Sequence, residues 1–334
     1  MEEKNLYQEL SEKIMAPNSK IIPQLFRMLI SEKEAEFLLA LPATPAEIAQ
    51  RFSIIEPEAD KLLDQFFIKG LAFKSKKPEG VKYRLCRDLV QFHDATILWS
   101  GAQRSYFDLW QRFMEEEWPE YSGLVEKITT KPLSRIIPVN QAVSASSQVL
   151  AYENCVEIIN ATNRIAVTKC TCRLIAHKCD NPLENCLQIG RAADYSLERG
   201  TGREISKAEA LKLIDEAEEK GLIHVTMNKS DNMNLICNCC ACCCITIPVM
   251  IKYGRKLTDP SRFRAVIDDA RCSSCGDCIE RCFFSAISCQ PTDDFEVVSI
   301  DEGKCMGCGL CQVVCDCEAI SLIETRPKDF IPVM

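Results

Sequence analysis

From Ile30 to Phe92 the apolar positions fall at helical spacing and then switch to strict alternation. SEKEAEFLLAL reads as a first helix, with Ser31 as N-cap and Glu34 three residues on, a capping box. TPAEIAQRF reads as a second, capped by Thr44 and carrying Pro45 at its first helical position. EPEADKLLDQFFIKG reads as a third, with Leu62, Leu63, Phe66 and Phe67 on one face and Gly70 ending it. LAFKSK and VKYRL then alternate around KPEG, the pattern of a two-stranded hairpin. Residues 93–135 are aromatic-rich and helical in pattern, carry Trp99, Trp110 and Trp118, and read as a packing layer or connector. Residues 152–163 read as a helix feeding the short strand RIAVTKC. Further on, ISKAEALKLIDEAEEKG opens on a capping box of Ser206 and Glu209 and closes on Gly221. Its stripe of Ala210, Leu213, Ile214 and Ala217 predicts a helix that covers a neighbouring cysteine-rich layer.

Composition changes this picture in one respect. The 334 residues, 47% hydrophobic and 26% charged, suit a globular chain of two or three domains. Cysteine is abnormal, at 22 residues. Sixteen lie within 237–244 and 272–317, four within 170–186, and only Cys86 and Cys155 stand apart. A disulfide scaffold would be small and secreted, whereas MEEKNLYQEL shows no export signal. No stretch approaches the roughly 18 apolar residues that a membrane helix needs. The expectation is therefore a reducing cytoplasm, where dense cysteines mean metal, and an anaerobic or low-oxygen niche for so many oxidisable thiols. The net charge of −8 gives no attraction to nucleic acid or an anionic membrane.

Two segments, 271–287 and 304–320, repeat at an offset of 33 residues: RCSSCGDCIERCFFSAI and KCMGCGLCQVVCDCEAI. Each reads C-x2-C-x2-C-x3-C-x3-A-I. Three closely spaced thiolates on a tight loop wrap one cubane, while the fourth is expected to begin the next helix and point away, reaching the other cluster. Over residues 264–324 the chain resembles the bacterial two-cluster ferredoxins. The resemblance implies that Cys272, Cys275, Cys278 and Cys315 hold one [4Fe–4S] cluster, and Cys305, Cys308, Cys311 and Cys282 a second. Gly276, Gly307 and Gly309 suit loops where backbone amides approach sulfide, and Ala286, Ile287, Ala319 and Ile320 would form an apolar shell. The proline that usually follows the fourth cysteine is replaced by Phe283 and Asp316, which leaves the local turn and potential open. C-x2-C pairs also build zinc sites, but two matched sets of four crossed with an A-I repeat argue for clusters. Cys289 and Cys317 fall outside the pattern and read as buried structural thiols.

A second group comprises Cys170, Cys172, Cys179 and Cys186 with Cys237, Cys239, Cys240, Cys242, Cys243 and Cys244. Cys237, Cys240 and Cys243 form a further C-x2-C-x2-C, which a fourth ligand from the upstream four would complete as a third cluster. Cys239 and Cys242 form another pair, able to join the remaining upstream cysteines. Ten candidate ligands exceed one cluster, so two clusters, a larger fused cluster or zinc also remain open. The region resembles one that precedes ferredoxin modules in a group of poorly described anaerobe iron–sulfur proteins, and that resemblance implies no reaction. Arg173 reads either as a donor to cluster sulfide or as a surface arginine. His177 and His224 read as ordinary histidines rather than ligands, given the surplus of cysteine.

Three helices followed by a hairpin resemble a winged helix-turn-helix. The expected architecture is therefore α+β and multidomain: a winged-helix-like domain over 1–92, a helical connector over 93–150, an α/β cysteine-rich domain over 151–258, and a ferredoxin-like βαββαβ dicluster domain over 259–334. The expected function is single-electron transfer to and from redox partner proteins. Neither G-x-G-x-x-G nor G-x4-G-K-[ST] occurs, so no nucleotide cofactor of its own is expected, and GTGRE at 200–204 reads as a loop. Two alternatives stand beside it. One is a redox-sensing regulator, disfavoured by Glu58, Asp60 and Asp64 against Lys61 and Lys69 on the third helix, although Lys74, Lys76, Lys77, Lys82 and Arg84 make the hairpin basic. The other is a reductase with an open cluster site within 170–244. Membrane and nucleic acid are not expected as partners.

Overall fold

The computed structural model describes residues 5–78, 80–143, 149–231, 233–291 and 296–333. Glu79 in the expected hairpin turn and 144–148 in the expected connector lie outside them. The fold is mixed α+β, and the chain divides into two compact units. One runs to Tyr121 and takes in Leu174–Ala176 and Arg199–Thr201; the other comprises Ser122–Arg173, His177–Glu198 and Gly202–Met334. No helix among the described residues is long and apolar enough to cross a membrane.

In the first unit both capping boxes form. Ser31 accepts from the Glu34 amide and Thr44 from that of Glu47, and each glutamate reaches back to its cap. The helix Glu56–Lys69 buries Leu63, Phe66 and Phe67 and half-buries Leu62. Gly70 then ends it in the left-handed region at φ 82°. Strands β1 (Ala72–Lys77) and β2 (Gly80–Leu85) pair antiparallel from Ala72 opposite Leu85 to Lys77 opposite Gly80. The aromatic segment is a packing layer of this unit: Phe92 stacks on Phe26 at 4.5 Å, and Trp110 and Trp118 are buried with Phe113 between them. In the hairpin, Lys74 is committed to Asp64 at 2.8 Å and to the Phe67 ring at 4.1 Å.

The second unit is built on a seven-stranded sheet of β3 (Ser134–Ile137), β4 (Ile165–Lys169), β5 (Glu184–Ile189), β6 (Gly202–Glu204), β7 (Ile223–Met227), β8 (Leu235–Cys239) and β9 (Thr258–Asp259). Their order is β6-β4-β5-β8-β7-β3-β9, antiparallel except for β3 with β9. Side chains alternate across such a sheet. One face buries Ile165, Val167, Leu187, Ile189 and Ile236 under the helices Cys155–Ala161 and Lys207–Glu219, with Ala210 and Ile214 in that core. The predicted stripe therefore covers the apolar face of the cysteine-bearing sheet and not the thiols, because Cys237 and Cys239 point to the other face.

That other face packs Ile223 and Val225 against Leu310, Phe283 and Phe284 of the C-terminal module. The module runs strand, helix, two strands, helix, strand. Its β10 (Phe263–Ile267) pairs with β13 (Ile320–Glu324), and its β11 (Ile287–Pro291) with β12 (Glu296–Ile300), around Ala265, Cys278, Ile287, Val298, Cys311 and Ile320.

A Cβ added at Gly70 would meet the Ala95 carbonyl at 2.6 Å in a backbone conformation that side chains rarely adopt. Gly70→Ala is expected to destabilise the first unit by more than about 1 kcal/mol, read as a lower urea midpoint by tryptophan fluorescence. An unchanged midpoint would remove the claim that this turn is sterically closed.

Candidate metal centres

The two halves of the C-terminal module present their thiols in the same way. Gly276 and Gly309 lie in the left-handed region, at φ 89° and 80°, and lead into the short helices Asp277–Arg281 and Leu310–Val313. Cys278 and Cys311 are buried in those helices. Cys282 and Cys315 follow them, and each accepts a backbone N–H on its sulfur, from Ala286 at 3.4 Å and from Ala319 at 3.3 Å. Such bonds stabilise a thiolate and tune the centre it ligates.

A cavity of about 320 Å³, open mouth included, is lined by Cys272, Cys275 and Cys278 of the first loop and by Cys315 of the second, with Ile267, Val298, Ala319 and Ile320 as apolar wall. Four thiols from two sequence segments face one space. Cys308 and Cys311 likewise lie beside Cys305 and Cys282. Burial, followed by the neighbouring cysteines, pushes Cys278 up to about 11, and burial pushes Cys308 up to about 12. These thiols must lose their protons to bind metal, so assembly releases protons. Cys317 sits at the cavity rim, 3.6 Å from Cys315, and Cys289 is half-buried, so neither is the buried structural thiol expected of it.

The upstream cysteines separate into two groups. Cys179, Cys240, Cys242 and Cys243 bring all four sulfurs within 4.8 Å of one another. Cys179 lies 3.9 Å from Cys240 and 3.7 Å from Cys243, and Cys242 lies 3.6 Å from Cys243. A tetrahedral ion with bonds of about 2.3 Å to thiolate sets its ligands about 3.8 Å apart. The tetrad fits a single ion. A cubane, whose inorganic core holds its thiolates apart, would not fit without the group opening. The amide of Asn181 donates to Cys179 at 3.4 Å.

The other six form a closed ring. Cys170 touches Cys172 and Cys186, and Cys172 touches Cys244. Cys186 touches Cys237, and Cys239 touches Cys237 and Cys244. The expected grouping of Cys237 with Cys240 and Cys243 is therefore not the one the fold makes, nor is the pair Cys239 and Cys242. Cys237 and Cys239 leave strand β8 on one face, while Cys240, Cys242 and Cys243 lie beyond its end. Cys244, singled out by no spacing rule, returns to the ring as the last of three consecutive cysteines.

Arg173 is buried, 2% exposed, and lies against Cys170 of the ring and Cys240 of the tetrad. It donates to Pro182 O at 2.9 Å, Asn185 Oδ1 at 3.0 Å and Asn238 O at 2.7 Å. Burial pulls its pKa down, but Cys170 and Cys240 outweigh that and raise it. Cys170 is drawn down to about 3, by the thiols of Cys172 and Cys186 first and by Arg173 after them. Cys240 is drawn down to about 5, chiefly by Cys243 and then by Arg173. His177 is exposed, and His224 is a buried structural residue between Asn238 and Glu218.

Residues 298–321 match the family described as 4Fe-4S binding domain. The match takes in Cys305, Cys308, Cys311 and Cys315, and it implies [4Fe–4S] binding by this part of the chain. Neither a curated protein nor a solved structure matches the chain.

Gly307 combines φ 64° with a Cβ position that would press into Phe263 O and Ser261 Oγ. At Gly276 the added Cβ meets nothing within 4 Å. Gly307→Ala is expected to lower iron and sulfide by about four atoms each per chain, and Gly276→Ala by less. Equal losses, measured on anaerobically prepared protein, would show that the contact with Phe263 does not shape the loop.

Proposed function

We propose that this chain is an iron–sulfur electron-transfer protein, or the electron-transfer subunit of a larger redox assembly, whose C-terminal module holds two [4Fe–4S] clusters. The observation that carries the reading is the cavity lined by thiols of both repeats, Cys272, Cys275 and Cys278 with Cys315. The match to the 4Fe-4S binding domain family supports it from the second repeat. Crossed ligation of this kind ties the two halves to one another, so that both clusters share one apolar core. When bound, such clusters accept one electron from a reduced donor and return it to an oxidised acceptor.

The protein supplies the rest. Its cysteines lose their protons to become ligands. The amides of Ala286 and Ala319 steady two of those thiolates, and Ile267, Val298 and Ile320 keep water off one side. The net charge of −8 steers docking toward basic patches on partner proteins. The helices and hairpin of the first unit suit a winged-helix-like docking module. Lys74 is held by Asp64 and Phe67, which takes one cation from any DNA-facing surface of the hairpin. The tetrad of Cys179, Cys240, Cys242 and Cys243 acts as a mononuclear tetrahedral site, on the sulfur spacing given above.

Two measurements test this. Anaerobically prepared protein should carry at least about eight irons with matching sulfide, and reduction by a low-potential donor should produce the paramagnetic signal of reduced cubanes. Colourless protein with zinc and no inorganic sulfide would defeat the proposal. For the tetrad, Cys179→Ser should remove about one tetrahedral metal ion per chain and leave the module's iron in place. Loss of about four irons in that variant would instead make the tetrad a cluster site.

A further inference from the structure

The ring of six cysteines belongs to neither the ferredoxin module nor the tetrad. It is assembled by sheet geometry. Strands β7 and β8 set Val225 opposite Cys237 and Ile223 opposite Cys239, and β5 meets β8 with Leu187 opposite Ile236. Continuing that register by one residue brings Cys186 beside Cys237. Alternation puts Cys186, Cys237 and Cys239 on the face opposite the aliphatic core. Cys170 and Cys172 arrive from the end of β4 and the helix that follows it, and Cys244 from the turn after β8. Each sulfur touches two neighbours, and the chain of contacts closes on itself.

The shape of this ring excludes a single ion. A tetrahedral ion needs all its thiolates mutually close, as in the tetrad. Among the described residues, no group of three or more metal-ligating side chains outside the tetrad brings its ligand atoms within 4.8 Å of one another. The six sulfurs of the ring are therefore not drawn together around one point. Two zinc ions sharing six thiolates would require the same mutual crowding around each ion. Thiolates grouped on one face but not drawn together around one point suit an iron–sulfur core, which keeps its ligands apart, and six exceed the four that one cubane uses.

We propose that Cys170, Cys172, Cys186, Cys237, Cys239 and Cys244 form an additional site for a polynuclear iron–sulfur cluster, set on the thiol face of the sheet and separate from the tetrad. Its position gives it a role. Cys237, Cys239 and Cys244 pack in the same apolar group as Cys308, with Phe283, Phe284 and Met306. The ring and a cysteine of the second ferredoxin loop thus share one apolar group. A cluster here extends the relay of the module, a role that rests on the electron-transfer reading, whereas the site itself does not.

The test uses the full chain, purified without oxygen. Iodoacetamide should leave four or more ring cysteines unmodified in native protein, and all six should react after the metal is stripped with acid and chelator. Cys186→Ser/Cys237→Ser should lower total iron from about twelve to about eight per chain, a loss of about one third, with the tetrad's metal unchanged. A third chain separates the two readings. With Cys275, Cys278, Cys308 and Cys311 all changed to serine, about four irons should remain with the ring. Ring thiols that react freely in native protein, or zinc in place of that remaining iron, would overturn the ring site. Eight irons in the unaltered chain would then leave the module's reading intact.

Discussion

Thiolates repel one another, and burial penalises each one further; the larger unit is organised around relieving that conflict. Where burial is the dominant influence, as at Cys278 and Cys308, the proton is held tightly. Where a neighbour can donate, as around Cys170 and Cys240, the proton leaves readily. The unit resolves the conflict with three spacings. Thiols line a cavity in the C-terminal module, crowd to contact in the tetrad, and form a ring on the sheet. Sulfur spacing distinguishes what each can hold, because a lone ion draws its ligands together and an inorganic core keeps them apart.

The arrangement of the C-terminal thiol loops was largely readable in advance because it is set by local spacing. C-x2-C-x2-C on a loop brings three thiols together whatever the rest of the chain does, and the repeat at 304–320 named the partner set. The helices of the first unit were readable for the same reason. Ser31 with Glu34 and Thr44 with Glu47 are three-residue arrangements, and Gly70 is a local stop signal. The role of residues 93–121 was less legible, since aromatic helices look alike as connectors or as core. Only the packing of Trp110 and Trp118 against Phe113 decides it.

The upstream cysteines were misgrouped for a definite reason. Counting in threes assumes a loop, yet Cys237 to Cys239 is the end of a strand, where the period is two. Residues 237 and 239 then share a face. The turn that follows carries Cys240, Cys242 and Cys243 toward Cys179 instead. Nothing local shows where β8 stops. The partners of Cys237 are fixed by its neighbours β5 and β7, a long-range register that one sequence does not display. Cys244 was counted among the ten candidates but given no partner, because a run of three consecutive cysteines gives no hint that its last member turns back.

Arg173 shows how closely the two upstream sites are joined. A buried guanidinium needs its donors satisfied and its charge matched. Two carbonyls and Asn185 take donors, and the sulfurs of Cys170 and Cys240 supply the charge. Cys170 belongs to the ring and Cys240 to the tetrad, so one cation sits against both. The two groups therefore share one fixed cation. The position of Arg173, one residue after Cys172 on the helix that follows β4, makes that shared contact a property of the sheet end itself.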